Sequence, residues 1–217
     1  SMFVGHYSAA FIAKRLEPRL PLWSLLLAVQ LVDVVWAVLV LLGIERATID
    51  FSLPGNPLVL SYMPYTHSLP ATLLWSVLAG LIGMLIWSGG KRKLALAVTL
   101  GFTVASHWLL DLLVHRHDLA LWGNSHKIGL GLWNLPLLSF GLEVVLLLGS
   151  VWFLARSGNW AQQRNRALAG LCLGLLALQV ASQFAAPPSS LQQMVASALA
   201  VFLLVPLAGR WVEASAR

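Results

Sequence analysis

Hydrophobic residues run through this chain in six long segments, separated by two loops, at about residues 43–68 and 115–133, and by shorter breaks that are polar or contain proline or glycine. The segments cover about residues 21–42, 69–88, 94–114, 134–155, 167–186 and 190–209. Each is close to the roughly 20 apolar residues that an α-helix needs to cross a bilayer. The pattern predicts an all-α, polytopic helical bundle with about six transmembrane helices. The whole chain, residues 1–217, is predicted to form a single transmembrane domain.

The composition excludes most other classes of protein. Hydrophobic residues make up 59% of the chain and charged residues 10%, with a mean hydropathy of +0.80. Such values exclude a soluble domain, a disordered chain and a coiled coil, and a chain with Cys172 as its sole cysteine is not a disulfide scaffold. The net charge of +6 does not indicate a nucleic-acid partner, because the basic residues stand singly or in threes between apolar runs.

These basic residues predict the orientation of the chain in the membrane. With six spans both termini lie on one side, and eleven of the fourteen Lys and Arg residues fall on that side. The positive-inside rule therefore places both termini in the cytoplasm.

Ionisable residues inside the apolar segments are the strongest functional signal. Asp33 lies in the first segment, His107 and Asp111 in the third, and Glu143 in the fourth. A charge near the bilayer centre costs about 2.5–3.5 kcal/mol on insertion scales, so such residues need partners or a cavity. His107 and Asp111 are four residues apart and share one helix face, which His115 continues. Counting residues along the helices places Asp33, His107 and Glu143 in the middle-to-outer layer of the membrane.

These residue types favour a metal centre. Zinc binds histidine nitrogens and carboxylate oxygens at about 2.0–2.2 Å, and a catalytic site leaves one position open for water. The donors predicted to converge are Asp33, His67, His107 and Asp111, with His67 at the outer end of the second span. The predicted cofactor is a divalent metal, zinc first and manganese as the alternative. A set of hydrogen bonds that only locks the helices together is the other interpretation.

His6 is a further predicted ligand whose depth depends on the N-terminal segment. A short re-entrant helix from about Gly5 to Leu16 would carry His6 roughly 12 Å into the membrane. An amphipathic helix lying on the membrane surface is the alternative.

The order of these residues resembles the YdjM-like family of membrane-bound metal-dependent hydrolases. The resemblance covers about residues 3–117 and rests on Gly5-His6, Asp33, Thr66-His67-Ser68 and His107-x-x-x-Asp111. The family is similar in motif order to zinc-dependent phospholipase C, whose zinc helix has a further histidine six residues after the aspartate. This implies His117 as a metal ligand. Ser139 stands four residues before Glu143, where the soluble phospholipases have histidine, so the resemblance implies one or two metal ions rather than three.

We therefore expect an integral membrane hydrolase that uses metal-activated water to cleave a phosphoester of a lipid or other amphiphile. Asp33, His67 and Glu143 are the predicted catalytic residues, although Glu143 is equally well explained as a ligand or a structural partner. Compactness and the family resemblance imply a bacterial inner membrane, with membrane lipids as partners and the site in the outer half. The alternative is a proton- or cation-coupled transporter or channel, in which the buried Asp, His and Glu residues line a pathway.

Overall fold

Eight α-helices and two β-hairpins make up the described part of the chain. The computed structural model describes residues 4–87, 90–157, 162–184 and 188–215. The helices are α1 (Tyr7–Leu16), α2 (Leu22–Val29), α3 (Leu31–Leu41), α4 (Leu69–Ile86), α5 (Lys93–Val114), α6 (Pro136–Ala155), α7 (Gln162–Phe184) and α8 (Leu191–Ala214). The strands are β1 (Arg46–Ile49), paired with β2 (Leu58–Tyr62), and β3 (Leu119–Trp122), paired with β4 (Ser125–Ile128). The predicted all-α helical bundle is confirmed.

Five helices, α4 to α8, are long and apolar enough to cross a membrane. The pair α2 and α3 adds a sixth crossing if it counts as one span. The protein is therefore an integral membrane protein. Helices α7 and α8 extend beyond their predicted apolar windows because backbone hydrogen bonding continues through the adjoining polar residues. The predicted span ends at residues 88 and 186 lie outside the described residues.

The first predicted span is broken in the middle. Helices α2 and α3 meet at Gln30 with a bend of 52°, although neither proline nor glycine occurs from Leu22 to Leu41. A break inside a membrane requires another partner for the backbone groups that it frees. The carbonyl of Val29 accepts a hydrogen bond from Nδ1 of His107 at 2.8 Å. A tertiary contact thus stabilises a break that the local sequence does not predict.

Helix α1 is enclosed by the bundle. Tyr7, Ala10 and Phe11 are fully buried, and the helix packs against α2 and α6. This packing favours the re-entrant placement over the surface helix. One end of α1 leads from His6, while the other carries Lys14 next to the C-terminal part of α8.

The two hairpins cover one end of the bundle, which we call the hairpin end. It is the end at which α4 begins and α5 ends. These two helices pack closely away from that end: a Cβ on Gly80 would lie 2.9 Å from the Ala97 carbonyl oxygen, and one on Gly101 would lie 2.8 Å from that of Ser76. At the hairpin end, Nε1 of Trp108 on α5 donates to the carbonyl oxygen of His67 at 3.0 Å and so holds His67 beside the last turns of α5.

Candidate metal centre

Six ionisable side chains from separate parts of the sequence meet near the hairpin end. His6 precedes α1, Asp33 lies in the first turn of α3, His67 precedes the capping residue of α4, His107 and Asp111 lie on α5, and His115 follows α5. We call this set the His/Asp cluster.

Asp111 lies at the centre of the cluster, and its two carboxylate oxygens face different histidines. Oδ1 is 3.2 Å from Nε2 of His6 and 3.5 Å from Nε2 of His115. Oδ2 is 3.2 Å from Nε2 of His107 and 3.6 Å from Nε2 of His67. The four histidines thus turn the same ring nitrogen towards one carboxylate.

Asp33, which lies on α3 just after the break at Gln30, contacts two of the same histidines. Its Oδ1 lies 3.2 Å from Nε2 of His67 and 3.6 Å from Nε2 of His107. Two sets of three residues could each hold one ion, because the donor atoms within a set lie within 4.8 Å of one another. One set is His6, His107 and Asp111, and the other is Asp33, His67 and His107. Ligands held tetrahedrally at about 2.0–2.1 Å from zinc are about 3.3–3.4 Å apart. The closest contacts between histidine nitrogen and carboxylate oxygen in the cluster, 3.2–3.6 Å, are near that spacing, and no two donor atoms within a set are more than 4.8 Å apart.

A chain of hydrogen bonds fixes the orientation of His67. Thr66 Oγ1 donates to Oε2 of Glu45 at 2.6 Å and lies 2.9 Å from Nδ1 of His67. Since the hydroxyl has only one proton, it accepts from His67, and Nδ1 carries hydrogen. The lone pair of the neutral ring is then on Nε2, facing the two aspartates.

His107 and His115 are oriented by the same principle. Nδ1 of His107 donates to the Val29 carbonyl, which can only accept. Nδ1 of His115 lies 3.0 Å from Oδ1 of Asp118. Metal-binding histidines characteristically use one ring nitrogen for such an outer contact and the other for the ion.

Several buried polar atoms in the cluster have no hydrogen-bond partner within the described residues. They are both ring nitrogens of His6, Nε2 of His107 and Oδ2 of Asp111. The rings of His6 and His107 are stacked with their centroids 4.1 Å apart. Leaving a buried polar atom unpaired costs about 1–3 kcal/mol. Nitrogen and carboxylate oxygen are the donors that zinc and manganese accept, so these residues are suited to holding such an ion.

The electrostatic surroundings of His115, which lies beyond the membrane-spanning part of α5, also favour a cation. Burial alone lowers its pKa, but the Asp111 and Asp118 carboxylates more than offset this and raise the pKa to about 9. A divalent ion bound to Nε2 would replace the proton, so its uptake would release a proton to water.

Glu143 holds the segment that carries His6. Its Oε2 accepts from the backbone N–H of Val4 at 3.0 Å and of Gly5 at 3.2 Å. The carboxylate is buried and belongs to neither set of potential ligands. These contacts make Glu143 a structural partner of the N-terminal segment, which is one of the roles considered from the sequence. Its catalytic role stays a prediction.

Of the predicted ligands, His6, Asp33, His67, His107 and Asp111 are brought together, and His117 is not. His117 is exposed, whereas His115 is 2% exposed and reaches Asp111. The sequence did not predict that His115 joins the cluster, because the resemblance pointed to the histidine six residues after Asp111. The signal for it was the helical spacing, since His107, Asp111 and His115 are each four residues apart.

No family model, curated protein or solved structure matches this chain.

Proposed function

We propose that the protein is an integral membrane hydrolase whose His/Asp cluster holds a divalent metal ion. The observation that carries the proposal is the convergence of donor atoms: histidine and aspartate from four helical regions meet with several buried atoms unpaired. Zinc is the first candidate and manganese the second, because the donors are nitrogen and carboxylate oxygen. The order of motifs shared with the YdjM-like hydrolases supports the same activity.

The residues that would hold the ion differ in how far they face a neighbouring cavity. His6, His107 and Asp111 form the deep side, with side chains that are at most 5% exposed. Asp33 is 18% exposed and lines a cavity together with His67. When bound, the ion supplies a Lewis acid that activates water and polarises a phosphoryl oxygen. Asp33 is then the carboxylate placed to orient the attacking water and accept its proton, while Thr66 keeps His67 in position.

The rival function, a proton or cation pathway, requires a different arrangement. A pathway distributes ionisable groups along the membrane normal as successive relays. In the cluster the separations are 3.2–3.6 Å around a single carboxylate, and this convergence favours chemistry at one point.

The location of the cluster suggests the kind of substrate. From the end of α1 near Lys14, ten helical residues extend about 15 Å, and Lys93 to His107 spans about 21 Å along α5. We infer that the cluster lies in the middle-to-outer layer of a bacterial inner membrane with both termini cytoplasmic. A site at that depth suits an amphiphile such as a phospholipid, whose phosphoester lies near the membrane surface.

The test is metal analysis of purified protein together with hydrolysis. We expect at least one zinc or manganese per chain in the wild type and in His117→Ala, and its loss in His107→Ala. Metal-dependent hydrolysis of bis(4-nitrophenyl) phosphate and of phospholipid vesicles should be abolished by chelation and restored by zinc. Protein expressed with zinc that contains no metal would contradict the proposal, and proteoliposome ion flux would then become the relevant assay. Full activity after removal of the metal would contradict it equally.

A further inference from the structure

A second cleft lies at the end of the bundle opposite the hairpin end, where α7 begins and α8 ends. We call it the basic cleft. Its volume is about 520 Å³, within the roughly 300–1,000 Å³ that is usual for small-molecule sites. Its walls come from α1, the loop between α1 and α2, α2, α7 and α8. The charged side chains that line it are Lys14, Arg19, Arg164, Arg210 and Glu213.

The charges that line the basic cleft do not cancel. Glu213 is the only carboxylate among the described lining residues, and it pairs with Lys14 at 2.5 Å. Lys14 also donates to the carbonyl oxygens of Pro18 and Leu20, so all three of its ammonium hydrogens have acceptors. Four cations and one carboxylate give the lining a formal charge of +3, which the three arginines supply.

Two of these arginines are available to a ligand. Arg19 and Arg210 are exposed, and within the described residues neither makes an ion pair or a hydrogen bond. Glu17, close in sequence to Arg19, is buried and does not line the cleft. A guanidinium group binds phosphate oxygens through two parallel hydrogen bonds. Arginines from separate elements beside one cleft therefore favour a ligand with a phosphate group.

Membrane orientation alone does not explain this arrangement. The positive-inside rule accounts for the number of cations at one end of a bundle, but not for their position relative to one another. Arg92 and Arg166 are exposed at the same end and do not line the cleft. The cleft instead collects arginines from a loop and two helices, namely Arg19, Arg164 and Arg210.

The basic cleft lies at the level of the lipid headgroups. Arg164 is 20 residues from the far end of α7 at Phe184, and Arg210 is 19 residues from the start of α8 at Leu191. At about 1.5 Å per residue these lengths are roughly 28–30 Å, close to the thickness of the hydrocarbon core. Trp23, a residue type enriched at the membrane interface, also lines the cleft.

The surface of α8 next to the cleft is apolar on its membrane side. Leu207 and Leu203 lie three and seven residues before Arg210, so they share its helix face. Their side chains are 61% and 47% exposed. A hydrocarbon chain that lies on these leucines would bring a phosphate at its end to Arg210.

We propose that the basic cleft binds the phosphate group of an anionic phospholipid through Arg19 and Arg210, and that an acyl chain of this lipid lies on Leu207 and Leu203. Arg164 adds positive charge to the same cleft. Basic pockets between transmembrane helices are typical sites for anionic lipid headgroups. The site lies at the opposite end of the bundle from the His/Asp cluster, so it depends neither on a metal ion nor on hydrolysis.

The test measures lipid binding to delipidated protein by native mass spectrometry, in which the mass of the adduct identifies intact lipid. Dioleoylphosphatidylglycerol should bind at least tenfold more tightly than dioleoylphosphatidylcholine, which has the same acyl chains but a zwitterionic headgroup. One arginine near an anionic lipid surface contributes about fivefold to binding. Arg19→Gln and Arg210→Gln should therefore each weaken phosphatidylglycerol binding by about that factor. The matched control is Arg166→Gln, at an exposed arginine of α7 outside the cleft, which should leave the affinity unchanged.

A second arm distinguishes a lipid from a soluble phosphate compound. Glycerophosphoglycerol is the same headgroup without acyl chains, and it should bind at least tenfold more weakly than phosphatidylglycerol. Equal binding of the two would overturn the assignment to a lipid.

Two further outcomes would contradict the cleft itself. If phosphatidylcholine bound as tightly as phosphatidylglycerol, the arginines would not be recognising an anion. If Arg166→Gln weakened binding as much as Arg210→Gln, the overall positive charge of this end, rather than the basic cleft, would attract the lipid. Both results would leave the metal centre untouched, because the zinc content of the same variants is measured separately.

Discussion

Each end of α1 buries an ionisable side chain, Lys14 at one end and His6 at the other, and the two side chains differ in their hydrogen-bond partners. Lys14, at one end, donates to the carbonyl oxygens of Pro18 at 3.0 Å and Leu20 at 2.7 Å, and pairs with Glu213 at 2.5 Å. His6, at the other end, has no hydrogen-bond partner for either ring nitrogen. A buried ammonium whose hydrogens all have acceptors stabilises the fold. Ring nitrogens and carboxylate oxygens that face one another without hydrogen bonds are instead suited to binding an ion. For Lys14 and His6, both deeply buried, the presence or absence of hydrogen-bond partners is what distinguishes a structural side chain from a candidate metal ligand.

The largest effect on zinc affinity should come from replacing Asp111, the carboxylate at the centre of the His/Asp cluster. Asp111→Asn keeps the shape of the side chain but removes the charge that faces four histidines. We expect the affinity for zinc to fall by more than the roughly 10–100-fold cost of losing an outer partner, and hydrolysis to be lost. Competition with a chromogenic chelator measures the affinity. Asp50→Asn, at an exposed aspartate bonded to Ser52, is the control, and equal zinc affinity in the two variants would contradict a central role for Asp111.

The next effect distinguishes two histidines at the end of α5. Because Nε2 of His115 is 3.5 Å from Asp111 and His117 is exposed, we expect His115→Gln to reduce zinc affinity by about 10–100-fold and His117→Gln to leave it unchanged. The same chelator competition serves here. If His117→Gln proved the more harmful substitution, the assignment based on family resemblance would be preferred to the one based on geometry.

Local patterns predicted much of the fold and part of the cluster. Apolar length depends only on neighbouring residues, so the spans were predictable, and the pairing of His107 with Asp111 follows from helix periodicity. The convergence of Asp33 with them depends on the break at Gln30, which a contact between distant residues holds. The strands of the two hairpins have only four or five residues and lie in loops, where no clear alternation distinguishes them.

The two histidines show where the resemblance and the geometry lead to different assignments. Helix α5 ends at Val114, and the backbone N–H of His115 still bonds to the Asp111 carbonyl at 2.8 Å. His115 therefore stays on the same helix face as His107 and Asp111, while the chain beyond it turns towards β3.

A smaller effect is expected from the outer partner of His67. Thr66→Val is close to isosteric but breaks the hydrogen-bond chain from Glu45 to the histidine ring. We expect zinc affinity to fall by about tenfold, at the lower end of the usual cost of an outer partner. Thr103→Val is the matched control, because Thr103 is also buried but bonds only to the Thr99 carbonyl of its own helix. Identical zinc affinities in the two variants would mean that Thr66 does not orient His67.

The smallest effect on zinc binding, together with a clear loss of stability, should follow from replacing Lys14. Lys14→Met leaves Glu213 and two carbonyl oxygens without their buried donor. Since Glu213 is 23% exposed, we expect a loss of about 2 kcal/mol rather than the larger cost of a fully buried pair. That corresponds to a decrease in apparent Tm of about 4–8 °C, measurable by thermal unfolding in detergent, while the folded protein keeps its zinc. Should Lys14→Met release zinc as readily as Asp111→Asn, the two ends of α1 would not be functionally separate, and lost packing rather than lost ligands would explain both variants.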